Sequence, residues 1–341
     1  MSDSELKKIF IVGFPRSGST WLMWLLVNHP EIAALSQSGL FFDLKRLEDR
    51  WPVDDSGGAN VIGERIEGDV QDVESGPRRL DVGRVFPKDL FYGYCRVVCE
   101  GIFNCVASTK PDVRAVVEQT PEHFEYLELI RHIFPDAYIL HIVRDPRAVF
   151  ASNRNARMTW ANPTAFYSDP VQFAHDWRSA IEHVHARATG NYLEINYEAL
   201  LTDGPETLQR IHEWIGMKSS PEMCASAFEK STLGELRKKG GMSKGFFRKG
   251  QADGWQEELS RSQVRVLEYM LGELMENQGY ARTTRPGAGA PLGMRVRDSV
   301  AAVFRGMLRT LLRGVGGVES PVVRGTRRFL KTTRDMLKHS S

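Results

Sequence analysis

The sequence predicts an α/β fold, a central parallel sheet with helices on both faces, of the P-loop nucleotide-binding type. Three observations point there. A short apolar run, Ile9-Phe10-Ile11-Val12, leads into the turn Gly13-Phe14-Pro15-Arg16-Ser17-Gly18-Ser19-Thr20 and then a helical stretch. A second apolar run, Tyr138–Val143, is followed by Asp145-Pro146, which signals a helix start. Between and beyond them strand-like and helix-like segments alternate, as parallel strands with crossover helices require.

Each element has its own signal. Residues 7–12 read as the first strand. Residues 19–28 read as a helix that is apolar nearly all round, so it belongs in the interior. His29-Pro30 ends it. Residues 36–50 are mixed in pattern around Leu40-Phe41-Phe42, and 54–84, rich in Gly, Asp and Glu, read as a long surface loop. Residues 87–108 read as a helix with Leu90, Phe91, Tyr94, Val98, Cys99 and Ile102 as its apolar stripe. A strand is expected at 113–118 and one helix at 121–134. The run 138–143 suits a strand buried on both faces. A helix at 170–188, a strand at 191–197 and a helix at 204–215 follow. We place the α/β domain at residues 1–285 and a basic helical appendage at 286–341.

Composition bounds the function classes. The chain is 42% hydrophobic and 26% charged, ordinary for a globular protein. Its net charge of +2 hides an asymmetry: residues 286–341 carry +8 and the rest −6. Residues 300–312 and 322–338 each set apolar positions against Arg or Lys at helical spacing. That pattern fits either peripheral contact with an anionic membrane through residues 295–338 or packing on the main domain. Aromatics are almost absent there, which argues against nucleic acid. No stretch has the length of a membrane span, and no signal-peptide pattern is visible. Cys95, Cys99, Cys105 and Cys224 fit neither a zinc site nor a disulfide framework, so a cytoplasmic protein with free thiols is expected.

The turn at 13–20 is a phosphate cradle. Backbone N–H groups and a helix N-terminus converge on an anion there. The glycine spacing is that of a P-loop, but Ser19 stands where an ATPase or kinase has its lysine. Arg16 is the loop's cation. A nucleotide other than ATP is indicated, and a P-loop kinase is the weaker alternative. Arg144 closes the buried strand, where open α/β sheets bind ligands, and Ser152 lies two helical turns on. Together they can form a second phosphate site. Arg248-Lys249-Gly250 is a basic loop, Tyr197 stands at a strand end, and Glu118 and His123 are titratable groups at another.

In this order the segments resemble the sulfotransferases that use 3′-phosphoadenosine 5′-phosphosulfate (PAPS), over roughly residues 7–275. The resemblance implies that Pro15, Arg16, Ser17, Gly18, Ser19 and Thr20 bind the 5′-phosphosulfate. It implies that Arg144, Ser152 and the loop Arg248, Lys249, Gly250 hold the 3′-phosphate, and that Tyr197 lies near adenine. No metal is required, because PAPS has no β/γ-phosphate pair to bridge. Arg16 would stabilise charge growing on the 5′-phosphate as the S–O bond breaks. The acceptor would be a small molecule, carbohydrate or lipid offering a hydroxyl or amine.

The chain departs from that family at the proton acceptor. Gln37 stands where many relatives have a Glu base, and Gln119 where Glu-Lys-Thr-Pro is common. His123 or Glu118 is therefore expected to take the proton. The alternative is a non-catalytic nucleotide-binding or scaffold protein on the same fold. His141 reads as a core residue. His175, His183 and His185 lie along one helix, where their spacing alone builds no metal site.

Overall fold

The computed structural model describes residues 6–49, 88–159, 166–232 and 253–285. Five strands form one parallel sheet: β1 (Lys7–Val12), β2 (Ile32–Ser36), β3 (Ala115–Gln119), β4 (Tyr138–Val143) and β5 (Tyr192–Asn196). Their order is β2-β3-β1-β4-β5. In register, Phe10 faces Glu118, Val12 faces His141, and His141 faces Glu194.

Period-two alternation sends successive side chains to opposite faces of the sheet. On one face Ile9, Ile11, Ala115, Val117, Leu140, Ile142 and Ile195 are buried against α1 (Ser19–Val27). Helices α7 (Tyr197–Thr202), α8 (Gly204–Ile215) and α9 (Pro221–Lys230) complete that layer. On the other face Phe10 meets Phe41 of α2 (Leu40–Glu48), Phe103 of α3 (Lys88–Ala107) and Phe134 after α4 (Leu127–Ile133). The ring centroids lie 5.4, 6.1 and 6.2 Å apart, and three such contacts add roughly 0.5–1.5 kcal/mol each beyond area burial.

The chain divides into two compact units. The sheet and these layers belong to the described residues of Met1–Arg144 and Ala180–Met242. The other unit comprises Asp145–Ser179 and the described residues from Ser243 on. It contains α5 (Pro146–Thr159), α10 (Trp255–Glu258) and α11 (Arg261–Asn277), and α6 (Pro170–Arg187) is divided between the units at Ser179/Ala180. As expected, Asp145 starts α5: its Oδ1 accepts from the Arg147 N–H at 2.8 Å. A capping box between Ser260 and Gln263 starts α11.

Three expectations need correction. The mixed stretch 36–50 contains α2. The single helix expected at 121–134 is a 3₁₀ turn, Pro121–Tyr126, followed by α4. The buried face of α3 is Phe91, Tyr92, Cys95, Cys99 and Phe103, whereas Leu90, Tyr94 and Val98 are exposed. Both faces of α3 carry apolar residues at helical spacing, so periodicity alone selects neither. All four cysteines are free thiols. Among the described residues no helix is long and apolar enough to cross a membrane. The expected loop 54–84, Arg248-Lys249-Gly250 and the appendage 286–341 lie outside the described residues.

Candidate active site

The five strands all run toward one edge, and the residues that follow each strand gather the chemistry. After β1 comes the loop 13–20. Gly13 has φ 154°, and a Cβ there would stand 2.4 Å from the Ile142 carbonyl oxygen. Gly18 has φ 99°, and its Cβ would stand 2.5 Å from the Tyr197 ring. Only glycine fits either place. Between them Arg16 is held at φ 77°, a left-handed conformation that costs a non-glycine residue on the order of 1–3 kcal/mol. Gln37, after β2, is another such residue, at φ 50°.

The loop leaves polar capacity unused. Ser17 is 1% exposed, and its Oγ has no hydrogen-bond partner among the described residues. Ser19 and Thr20 open α1 and are buried. Arg144, after β4, donates from Nη1 to the Arg16 carbonyl at 3.2 Å and stacks its guanidinium 4.2 Å over the Tyr197 ring. Its Nε is buried without a partner among the described residues. Tyr197 opens α7 directly after β5 and packs against Trp21 at 5.5 Å. Burial pushes its hydroxyl pKa up, with the Arg144 charge opposing.

After β3, Glu118 and His123 meet. His123 Nδ1 lies 2.8 Å from Glu118 Oε2, and the two side chains are 0% and 1% exposed. Glu118 Oε1 accepts from Thr120 at 2.6 Å and from Ser38 at 2.8 Å. The tautomer that lets Nδ1 donate to the Glu118 carboxylate is the one that puts the lone pair on Nε2. That Nε2 has no partner among the described residues. The rings of Phe41 and Phe42 surround the imidazole at 5.2 and 5.5 Å. Gln119 is fully buried. It accepts from Ser36 at 2.8 Å and donates to Ser19 at 3.1 Å, tying β2 and β3 to the loop.

The structure thus brings Pro15–Thr20, Arg144 and Tyr197 into one connected group, and joins Glu118 to His123. Ser152 lies half-buried in α5, within the second unit. Sequence reasoning missed Ser38 and Thr120 as the hydroxyls that hold Glu118. It also missed the stacking of Arg144 on Tyr197, 53 positions apart. Short-range spacing carries no signal for either.

A strained loop leading into a helix N-terminus, with a stacked arginine at the end of a neighbouring parallel strand, is the arrangement by which α/β folds offer N–H groups and positive charge at one sheet edge. The chain's family is also defined. Residues 8–221 match the family model described as "Sulfotransferase family", which is more than half of the chain, and the chain belongs to that family. It is 30% identical over 159 residues to the nodulation protein NoeE of Sinorhizobium fredii, covering 45% of this chain and 32% of that protein. It is also 30% identical over 102 residues to mouse carbohydrate sulfotransferase 2, covering 28% of this chain and 18% of that protein. The chain therefore spans about a third or less of the length of these curated relatives. Among solved structures it is similar to the sulfotransferase domain of the Synechococcus PCC 7002 olefin synthase (20% identity, 82% of this chain and 97% of that one, TM-score 0.49). Mouse sulfotransferase SULT7A1 complexed with PAP is another (17% identity, 81% and 86%, TM-score 0.48).

Proposed function

We propose that this chain is a PAPS-dependent sulfotransferase that moves a sulfuryl group to an acceptor hydroxyl or amine. The observation that carries the reading is two buried groups without partners among the described residues: Ser17 Oγ in the strained loop, and Nε of Arg144, whose Nη1 is bonded to that loop's Arg16 carbonyl. Buried polar groups are rarely left without partners, and an anion supplies one for each. In this reading Pro15, Arg16, Ser17, Gly18, Ser19 and Thr20 hold the 5′-phosphosulfate through N–H groups, hydroxyls and the Arg16 charge. Arg144 takes the 3′-phosphate. By resemblance Ser152 and Arg248-Lys249-Gly250 share it. Tyr197 borders the adenine and braces Arg144.

When bound, PAPS supplies a sulfuryl group on a phosphate leaving group. The chain's own part is positioning and proton transfer. His123 is our proton acceptor: its Nε2 lone pair is uncommitted, and Glu118 fixes the tautomer from the Nδ1 side. Glu118 is then a positioning residue. The helix dipole of α1 and Arg16 offset the negative charge that develops on the leaving phosphate.

The test is transfer of labelled sulfate from PAPS onto a panel of sugars, lipids, phenols and tyrosyl peptides, with Arg16→Ala as control. A sugar hydroxyl heads the panel, because carbohydrate sulfotransferase 2 is among the relatives. Transfer that Arg16→Ala abolishes supports the proposal. Tight binding of 3′,5′-adenosine bisphosphate with no transfer to any acceptor supports the second reading, a nucleotide-binding protein without catalysis. Gln119 favours that second reading, because a neutral amide, bonded to Ser36 and Ser19, occupies the place where relatives often have a lysine.

A further inference from the structure

Away from that edge, three potential metal ligands converge from three elements of the sheet unit. His141 lies in β4, Glu194 in β5 directly opposite it, and His185 in the last turn of α6. One ligand atom from each lies within 4.8 Å of the others. Glu194 Oε2 is 3.0 Å from His141 Nδ1, 2.7 Å from His185 Nε2 and 2.9 Å from the Tyr192 hydroxyl. The Tyr192 oxygen is also 3.0 Å from His141 Nδ1. Two imidazole nitrogens and a hydroxyl thus crowd one carboxylate oxygen, which offers two lone-pair directions.

We propose that His141, His185 and Glu194 form a binding site for a divalent transition-metal ion of the zinc class. Two imidazoles and a carboxylate are a donor set that such ions take, with a fourth position left for water or the Tyr192 hydroxyl. Tetrahedral zinc with bonds of about 2.0–2.1 Å holds its ligand atoms about 3.3 Å apart. The two Glu194–imidazole pairs, at 3.0 and 2.7 Å, need to open by roughly 0.3 and 0.6 Å to admit the ion, and the two imidazole nitrogens lie within 4.8 Å of each other. His185 is the entry side, at 40% exposure, whereas His141 is 1% exposed.

The ion would have no part in sulfuryl transfer; it would clamp structure. Arg144 follows His141 by three residues, and Tyr197 follows Glu194 by three. Each interval is about 10 Å of extended chain. A metal joining His141 to Glu194 would thus fix the two strands whose ends carry the Arg144–Tyr197 stack. It would also pin the end of α6 to them.

The experiment uses the untagged full chain, stripped with chelator and dialysed, then titrated with Co²⁺ and followed by its visible ligand-field absorption. Zinc stoichiometry is read in parallel by elemental analysis. The expected result is one ion per chain, with a higher thermal midpoint in its presence. His185→Ala is expected to weaken binding at least about 10-fold, since loss of even an outer-shell partner costs that much. Its metal-free urea midpoint serves as the folding control. His175→Ala, on the same helix and exposed, is expected to leave affinity unchanged. No stoichiometric uptake by the unmutated chain, or equal affinity in His185→Ala, would overturn the proposal.

Discussion

Two buried polar regions of this molecule differ in how completely their arginine, serine and histidine groups are paired. In the second unit, all three nitrogens of the Arg147 guanidinium are engaged. Nε and Nη2 donate to Asp145, Nη1 donates to Glu268 and to the Ala281 carbonyl, and the plane stacks 4.1 Å over Trp255. Glu268 in turn accepts from the N–H and hydroxyl groups of Thr283 and Thr284. At the sheet edge, by contrast, Ser17 Oγ, His123 Nε2 and Arg144 Nε have no partners among the described residues, and Arg16 and Gln37 hold left-handed backbone. A closed network stabilises the fold. An open one carries a cost in strain and desolvation that a bound anion would offset.

His123→Gln is expected to lower kcat by about 10²–10⁴-fold, the usual contribution of a general base, with nucleotide affinity retained. Single-turnover transfer set beside calorimetry measures both. Arg147→Ala strands two buried carboxylates and is expected to cost about 3–5 kcal/mol of stability, seen as a lower urea midpoint.

A third test sharpens the structural side. Burial, helped by the neighbouring His29, pulls the His212 pKa down to about 4. Its ring sits 4.9 Å from His29, and Cys224 Sγ lies 3.9 Å from its Nδ1. The folded state therefore binds this proton less readily than the unfolded chain. Its contribution is complete above pH 6.5 and is lost as pH falls from 6.5 toward 4, by about 3 kcal/mol at the lower end. His212→Leu should flatten that limb of a stability–pH curve.

The smallest expected effect probes the ligand side. Arg144→Ala should weaken binding of 3′,5′-adenosine bisphosphate by about 1.5–3 kcal/mol, roughly 10- to 150-fold, the worth of a hydrogen bond to a charged group. Its urea midpoint should move far less than that of Arg147→Ala. Two arginines three positions apart would then divide cleanly between binding and folding.

Much of this was legible in the sequence, and the exceptions have physical causes. The bounds of β1, β4 and α8 follow from apolar runs ended by Gly, Arg-Asp-Pro and Gly. The loop at 13–20 is legible because glycine spacing and backbone conformation are local properties. Glu118 and His123 were candidates for the proton acceptor, but their mutual hydrogen bond needed the 3₁₀ turn after β3, which the expected single helix would not give. The buried face of α3 was misjudged because tertiary packing chose between two apolar stripes. The meeting of His141, His185 and Glu194 was invisible, because strand pairing and helix return bring together residues with no shared local pattern.

In the proposed function, the edge formed by Pro15–Thr20, Arg144 and Tyr197 grips a bisphosphorylated adenosine. The most direct measurement is calorimetric titration of the full chain with 3′,5′-adenosine bisphosphate in chelator-containing buffer, repeated with Arg16→Ala and Arg144→Ala. The expected result is one binding event per chain without Mg²⁺, weakened in both variants while their urea midpoints stay close to that of the unmutated chain. Absence of binding, or binding that neither substitution changes, would contradict it.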